Sequence, residues 1–285
     1  MIDDYDIAKW VANADSDQQE FREAVHTILA AIANDSQLRA SMVIKGGILL
    51  AVRYQSHRFT KDIDFSTHEK LDKVDVGELT DKLDKSFIQI AAELEYELDC
   101  RVQSCKVIPA NKPDASFPSV KMTIGYAYKG EKKHTRLMAK QSPTSISIDY
   151  SLNELMPNLE GLDVGQGEPL IAYALTDLIA EKIRSILQQV IRNRTRRQDI
   201  FDLILLLEKY PDLDREEKQR ILSSLIEKSE SREITPLIDS LDDADIRERS
   251  QKDYHTLADE IEGDLPDFDK TYDAVNEFYK SLPWK

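Results

Sequence analysis

Lys45-Gly46-Gly47-Ile48-Leu49-Leu50-Ala51-Val52-Arg53-Tyr54-Gln55-Ser56-His57-Arg58-Phe59-Thr60-Lys61-Asp62-Ile63-Asp64 decides how the rest of this chain is read. A glycine pair opens an apolar run, a polar patch around Arg58 and Thr60 follows, and Asp62-Ile63-Asp64 leads into Phe65. Side chains alternate along a strand, so Asp62 and Asp64 share a face if 62–65 is extended. Adjacent carboxylates repel unless a cation neutralises them, and a hard divalent cation with oxygen ligands does so. Gly46 and Gly47 leave backbone N–H groups open to a phosphate, at the start of a helix whose dipole favours anions. An Asp-x-Asp pair alone is commonly solvated surface, and a Gly-Gly pair alone is commonly a loop. Joined by a hydrophobic helix, they predict metal-dependent phosphoryl or nucleotidyl transfer.

Outward from this segment, Val43-Ile44 reads as a short strand leading into Gly46, Ile48 to Tyr54 as a helix and Asp62 to Ser66 as a strand. Residues 15–34 place Phe21, Ala24, Val25, Ile28, Leu29 and Ile32 at helical spacing, and 74–95 do the same with Leu79, Leu83, Phe87, Ile90, Ala91 and Leu94. Three β-rich runs follow at 100–107, 119–128 and 144–150, the second and third alternating apolar with polar residues. Pro109, Lys112, Pro113 and Pro118 mark a loop between the first two runs. After Gly167-Glu168-Pro169 the pattern turns to helix only, at 170–192, 199–209, 215–228, 250–262 and 268–281. The charged stretch 228–248 is expected to be a partly ordered connector. These patterns predict an α+β domain over residues 1–165, a mixed sheet with flanking helices, followed by an all-helical domain over 166–285.

A chain of 285 residues with 41% hydrophobic content supports two modest domains with real cores. No apolar run is long enough to span a bilayer. The first six residues, Met-Ile-Asp-Asp-Tyr-Asp, lack the layout of a signal peptide, so a cytoplasmic location without membrane contact is expected. Cys100 and Cys105 fall in one strand-like run and read as reduced thiols. A net charge of −15 argues against a general nucleic-acid binder, which needs a broad basic surface. It leaves room for one local cluster: Arg192, Arg194, Arg196 and Arg197, with Lys182 and Arg184 upstream. That cluster reads as a site for a defined polyanion or as a solvated turn between helices.

Three further candidates stand apart from the opening segment. Asp149 shares a strand face with Ser147 and could complete a three-carboxylate site as general base or metal ligand; a solvent-facing strand end is the other reading. Lys182 lies in a strongly apolar helix and could reach a triphosphate, or snorkel to the surface. Asp199 suits a helix N-terminus, and Asp202 lies one turn later on the same side. The five histidines are scattered without zinc-ligand spacing, and no Gly-x-x-x-x-Gly-Lys-Ser/Thr loop is present.

Lys45-Gly46-Gly47 followed by Arg58-x-Thr60-x-Asp62-x-Asp64-Phe65 resembles the nucleotidyltransferase toxins of the AbiEii/AbiGii family, within the DNA polymerase β-like superfamily. Ile148-Asp149, Glu181-Lys182-Ile183-Arg184 and Arg197-Gln198-Asp199-x-x-Asp202-Leu203 fit in order, and the resemblance covers nearly the whole chain. It implies a nucleotidyltransferase-type sheet and a toxin of bacterial toxin–antitoxin or abortive-infection systems, usually encoded beside a regulator antitoxin. Some members bind GTP, and some transfer nucleotides to tRNA 3′ ends. Carried over, Lys45, Gly46, Gly47, Arg58 and Thr60 would hold the NTP (GTP, CTP or UTP), and Asp62, Asp64 and Asp149 would bind Mg²⁺. Lys182 would contact phosphate, with Asp199 and Asp202 in the fourth motif. The arginine cluster at 192–197 would bind the tRNA acceptor. Two departures are visible: the wider superfamily has Gly-Ser where this chain has Gly46-Gly47, and Gln198 stands where many relatives have Arg. A small-molecule nucleotidyltransferase and a catalytically quiet NTP-binding protein are the rival readings.

Overall fold

The computed structural model describes residues 7–110 and 115–285; the first six residues and the loop residues Lys112 and Pro113 lie outside them. The amphipathic repeat from Ala24 to Ile32 forms the second of three N-terminal helices, α1 (Ile7–Ala12), α2 (Gln19–Asn34) and α3 (Ser36–Ser41). Next come β1 (Val43–Lys45), α4 (Gly46–Tyr54), β2 (Asp62–Ser66), α5 (Val76–Glu93), β3 (Leu98–Ile108) and β4 (Ser119–Tyr128). The Asp75 carboxylate starts α5 by accepting from the N–H groups of Gly77 and Glu78, a cap that satisfies donors the helix cannot. Then follow α6 (Lys132–Met138), β5 (Ser145–Ser151), β6 (Leu159–Leu162) and β7 (Leu170–Tyr173).

The seven strands form one mixed sheet in the order β3-β4-β5-β2-β1-β7-β6. β2 runs parallel to β5 and β1 parallel to β7, while β1–β2, β3–β4 and β4–β5 are antiparallel. The sheet is strongly two-faced over β4, β5 and β2. Val120, Met122, Ile124, Ile146, Ile148, Tyr150, Ile63 and Phe65 are buried on one side. The alternate residues Lys121, Thr123, Ser147, Asp149, Asp62 and Asp64 are polar and at least partly accessible. Helix α6 packs on β4 and β3 at the end of this polar face, where a Cβ on Gly125 would lie 2.8 Å from Leu137 Cδ1.

The helical C-terminal half comprises α7 (Leu175–Leu187), α8 (Gln189–Arg192), α9 (Arg197–Lys209), α10 (Arg215–Glu230), α11 (Ala244–Gln251) and α12 (Phe268–Lys280). The chain divides into two compact units: 1–55 with 60–156 and 160–172, and 56–59 with 157–159 and 173–285. In the second unit α7 packs on α10 and α9, and α12 packs on α9. Among the described residues no helix is long and apolar enough to cross a membrane.

Three sequence expectations are corrected. The helix expected over 170–192 is interrupted: Leu170–Tyr173 is strand β7, bridged to β1 at Ile44–Ala172, and Asn193 ends α8 in a left-handed conformation. A short apolar run fits strand and helix equally by spacing, and the ladder with β1 decides it. Strand β6 was likewise not foreseen. The stretch 228–248 is ordered, because Ile234, Leu241 and Ile246 are buried within it and Tyr272 Oη donates to the Leu241 carbonyl at 2.9 Å. The helix expected at 250–262 is instead the end of α11 followed by a 3₁₀ turn at Tyr254–Asp259.

Candidate active site

Strand register places one line of charged side chains across five strands of the first unit. Lys106 pairs with Lys121, Lys121 with Asp149, Asp149 with Asp64, and Asp64 with Lys45. Directly opposed residues share a face with Cβ atoms about 4.5–5.5 Å apart. Asp64 and Asp149, 85 positions apart in the chain, are therefore immediate neighbours on parallel strands. Asp62 lies in the next row, opposite Ser147. Two cations flank the acids: Lys121 Nζ lies 4.0 Å from Asp149 Oδ2, and Lys45 Nζ donates to Ser151 Oγ at 3.2 Å. Sequence reading did not single out Lys121 or Lys106. The Ser119-x-Lys121-x-Thr123 alternation marked a polar strand face, but its partner strand cannot be read without the register.

The glycine pair fits against this line with no room to spare. Gly46 has a φ of +74°, which favours glycine, and a Cβ there would lie 2.1 Å from Asp64 Oδ2. The Asp64 carboxylate thus lies directly against the first residue of α4. Gly47 has no such backbone demand, yet its Cβ would lie 2.9 Å from Thr60 Cγ2 and 3.0 Å from Thr60 Oγ1. The Thr60 side chain occupies the space that a Cβ at position 47 would need. The start of α4, Thr60, Asp64 and Asp149 are thereby gathered within the first unit.

The donor set suits a hard divalent cation, for which carboxylate oxygens are the preferred ligands. Among the described residues no three His, Cys, Asp or Glu side chains converge closely enough to hold a metal ion by themselves. Mg²⁺ characteristically uses only one or two carboxylates, completed by water and substrate phosphate. The opposed pair Asp64 and Asp149 meets that requirement.

The remaining motif residues form a separate network inside the second unit. Arg58 grips Asp202 with two parallel bonds, Nε to Oδ1 at 2.8 Å and Nη2 to Oδ2 at 2.9 Å. Lys182 Nζ donates to Asp202 Oδ2 at 2.6 Å and to Asp199 Oδ1 at 3.1 Å. Asp202 is fully buried, and the Lys182 side chain is 9% exposed. Burial alone would push the Lys182 ammonium toward losing its proton, but Asp202 and Asp199 outweigh it and raise its pKa. Burial would raise Asp202, yet Lys182 and Arg58 hold it below the usual carboxylate range. Arg58 is raised in the same way, burial being outweighed by Asp202. Asp199 lies in the first turn of α9, but no side-chain cap bond forms at the helix start and its carboxylate faces Lys182.

In the basic cluster, Arg192 and Arg194 are exposed. Arg196 Nε lies 3.9 Å from Asp199 Oδ2, and Arg197 is paired with Glu260 at 2.7 Å. Cys100 and Cys105 are both free thiols.

Residues 27–275 match the model of the nucleotidyl transferase AbiEii toxin family, described as a type IV toxin–antitoxin system. The chain belongs to this family. It is a nucleotidyltransferase of the toxin–antitoxin class. Two solved structures share its fold at 14% identity. MenT4, a nucleotidyltransferase toxin of Mycobacterium tuberculosis H37Rv, aligns with a TM-score of 0.54 over 97% of this chain and 89% of its own. A candidate nucleotidyltransferase from H. pylori aligns with a TM-score of 0.50 over 94% of this chain and 96% of its own. No curated protein matches the AbiEii-family chain.

Proposed function

We propose that this AbiEii-family enzyme transfers a nucleoside monophosphate from an NTP to the 3′-hydroxyl of an RNA, with tRNA as the acceptor, and so acts in the cytoplasm as the toxin of a toxin–antitoxin pair. The observation that carries this reading is the register that opposes Asp64 to Asp149 while Gly46 holds the start of α4 against Asp64. A helix start open to phosphate and a paired-carboxylate site are two devices that suit metal-assisted phosphoryl chemistry.

The opposed pair Asp64 and Asp149 would hold Mg²⁺, which supplies charge neutralisation to the phosphates when bound; the three-carboxylate set expected from the sequence is reduced to this pair, with Asp62 one row away opposite Ser147. The RNA 3′-oxygen forms a bond to the α-phosphorus as the bond to pyrophosphate breaks. Asp149 takes the hydroxyl proton, a role open to a partly accessible acid whose side chain is 34% exposed. Gly46, Gly47, Lys45 and Thr60 cradle the triphosphate around the start of α4. A role for Lys182 on the phosphates must compete with Asp199 and Asp202, which already accept its hydrogen bonds. With Arg58 the four groups are electrically neutral, so the network's first effect is to fix these side chains. Arg192, Arg194, Arg196 and Arg197 are the resemblance's candidates for the tRNA backbone.

The test is incubation of the purified protein with each α-³²P-labelled NTP, GTP, CTP and UTP included, and total tRNA or a small polyol. Label on tRNA that disappears in Asp64→Ala, together with loss of growth inhibition, is the expected result. Label on the polyol alone would replace RNA by a small-molecule acceptor. An Asp64→Ala protein that remains fully toxic would remove the enzymatic reading. A regulator encoded beside the gene that relieves toxicity on co-expression is the antitoxin this proposal expects.

A further inference from the structure

The line of charge does not stop at the acids. From Asp149 it continues onto β4 at Lys121 and onto β3 at Lys106, each opposite the next in register. Adjacent strands lie about 4.8 Å apart, so the two ammonium groups form a track leading away from the carboxylates on the same sheet face. Both lysines are exposed. Between and beside them the face carries Ser104 and Thr123, joined by a 3.1 Å hydrogen bond, and Ser119. Such a surface offers hydroxyls and cations, with one exposed apolar side chain, Ile108, opposite Ser119 at its end. In a chain of net charge −15, two lysines aligned on the acid-bearing face are out of keeping with the average surface.

Asp149 alone does not account for both. Lys121 lies at 4.0 Å from it, a loose contact with its side chain 56% exposed, and such surface pairs are worth little. Lys106 lies one strand further out, opposite another cation rather than an acid. Opposed like charges cost stability, so the pair gains its reason from an external anion.

We propose that Lys106 and Lys121 form a subsite for the phosphodiester backbone of the acceptor strand, leading its 3′-hydroxyl toward Asp149. This deepens the reading above and rests on it for which end of the strand arrives. The subsite is distinct from the arginine cluster at 192–197, and it selects a single-stranded RNA end over a small alcohol, because a small alcohol has no second phosphate to reach Lys106.

The test uses the full-length protein and a fluorescein-labelled single-stranded oligoribonucleotide with a free 3′-hydroxyl, titrated by anisotropy at several KCl concentrations. Each lost phosphate contact makes the slope of log affinity against log salt shallower by about 0.7 for single strands. The Lys106→Gln/Lys121→Gln protein should therefore show a slope shallower by about 1.4 and binding about tenfold weaker near 0.15 M salt. Lys85→Gln, on the exposed side of α5, should change neither. An unchanged slope in the double variant overturns the subsite, as does absence of oligoribonucleotide binding by the wild-type protein. Transfer from α-³²P-labelled NTP to the same oligoribonucleotide is read in parallel. A shallower slope without any transfer by the wild type keeps the subsite and sinks the RNA-transfer reading. With transfer present, the double variant should raise KM for the oligoribonucleotide and leave KM for NTP unchanged. Both exposed substitutions leave the melting temperature in place.

Discussion

Serine at position 47 would restore the Gly-Ser pair of the wider superfamily, and the structure predicts that this chain cannot accept it. A Cβ at Gly47 would lie 2.9–3.0 Å from Cγ2, Cβ and Oγ1 of Thr60. Thr60 is β-branched and stiff at χ1, so the crowding cannot be relieved by swinging away a flexible chain end. Overpacking of this kind costs about 1–3 kcal/mol. Replacing a helical glycine by a better helix former returns at most about 0.5–1 kcal/mol. The net loss is then about 0–2.5 kcal/mol, with its middle near about 1 kcal/mol, and no positive φ at Gly47 adds to it. Thr60→Gly removes all three contacts at its own entropic cost of about 0.5–1 kcal/mol. The double variant Gly47→Ser/Thr60→Gly should then be more stable than the sum of the singles by about 1 kcal/mol or more.

Tryptophan fluorescence makes the measurement specific to the first unit. The chain has two tryptophans: Trp10, buried and under Arg22 in the first unit, and Trp284 in the second. In a Trp284→Phe background, urea unfolding followed through Trp10 reports the unit that contains Gly47. With a slope of about 2 kcal/mol per M, a loss of about 1 kcal/mol lowers the Gly47→Ser midpoint by about 0.5 M. A Gly47→Ser midpoint at or above the parent's, or strict additivity in the double variant, would refute the steric account and with it the claim that Thr60 fills the serine's place.

Other expectations follow from the same geometry. Gly46→Ala should be worse than Gly47→Ser, because a Cβ 2.1 Å from Asp64 Oδ2 and a φ of +74° act together; transfer activity should fall even where folding survives, read by label incorporation at a temperature well below the melting point. Asp202→Asn leaves Arg58 and Lys182 with one carboxylate between them, and should cost about 3–5 kcal/mol, the usual loss when a buried pair is broken, seen as a large drop in the melting transition of the second unit. The pH dependence of that network has a definite sign. Asp202 is lowered, so its contribution is complete above the ordinary 3.8 and fades as pH falls through its folded value. Lys182 is raised, so its contribution is complete below 10.5 and fades as pH rises beyond it. The network's contribution, read as wild-type stability minus that of Asp202→Asn, should therefore stay level from pH 5 to 9, and a difference that shrinks steeply between pH 5 and 7 would contradict the network.

Much of the fold was legible because its signals are local. The alternation expected at 119–128 and 144–150 and the helical spacing expected at 15–34 and 74–95 are local patterns, and the elements that formed, Ser119–Tyr128, Ser145–Ser151, Gln19–Asn34 and Val76–Glu93, lie close to those bounds. β7 was missed because Leu170-Ile171-Ala172-Tyr173 is apolar throughout and short, so only its bridge to Ile44 distinguishes strand from helix. The ordered path through 228–248 was missed because three buried residues, Ile234, Leu241 and Ile246, anchor a segment whose composition is otherwise charged. At the site, Asp62-x-Asp64 announced itself by spacing. The opposition of Asp64 to Asp149 and the extension to Lys121 and Lys106 depend on strand order, which no local pattern encodes. The reason for Gly47 was equally hidden, since it lies in the Thr60 side chain thirteen positions later.

The two sets of motif residues are treated in opposite ways by the fold, and that contrast bears on their roles. Lys182, Asp199 and Asp202 are buried, the Arg58 side chain is 10% exposed, and the four are bonded at 2.6–3.1 Å in a neutral network. Taking any one of them to a ligand means breaking a buried pair, which is costly. Asp149 and Lys121 meet at 4.0 Å with side chains 34% and 56% exposed, and exchanging that contact for a metal ion or a phosphate costs little. A site that must bind, release and bind again needs weak internal pairing, whereas a group that must hold its neighbours needs strong pairing. That argument supports the proposal that the reacting centre lies along Asp62, Asp64 and Asp149, with Asp202 holding Arg58 and Lys182 in place. An Asp149→Asn protein should then keep the wild-type melting profile while losing transfer, and Asp202→Asn should lose both in proportion to the fraction unfolded. Loss of folding in Asp149→Asn, with full activity in a stably folded Asp202→Asn, would reverse the assignment.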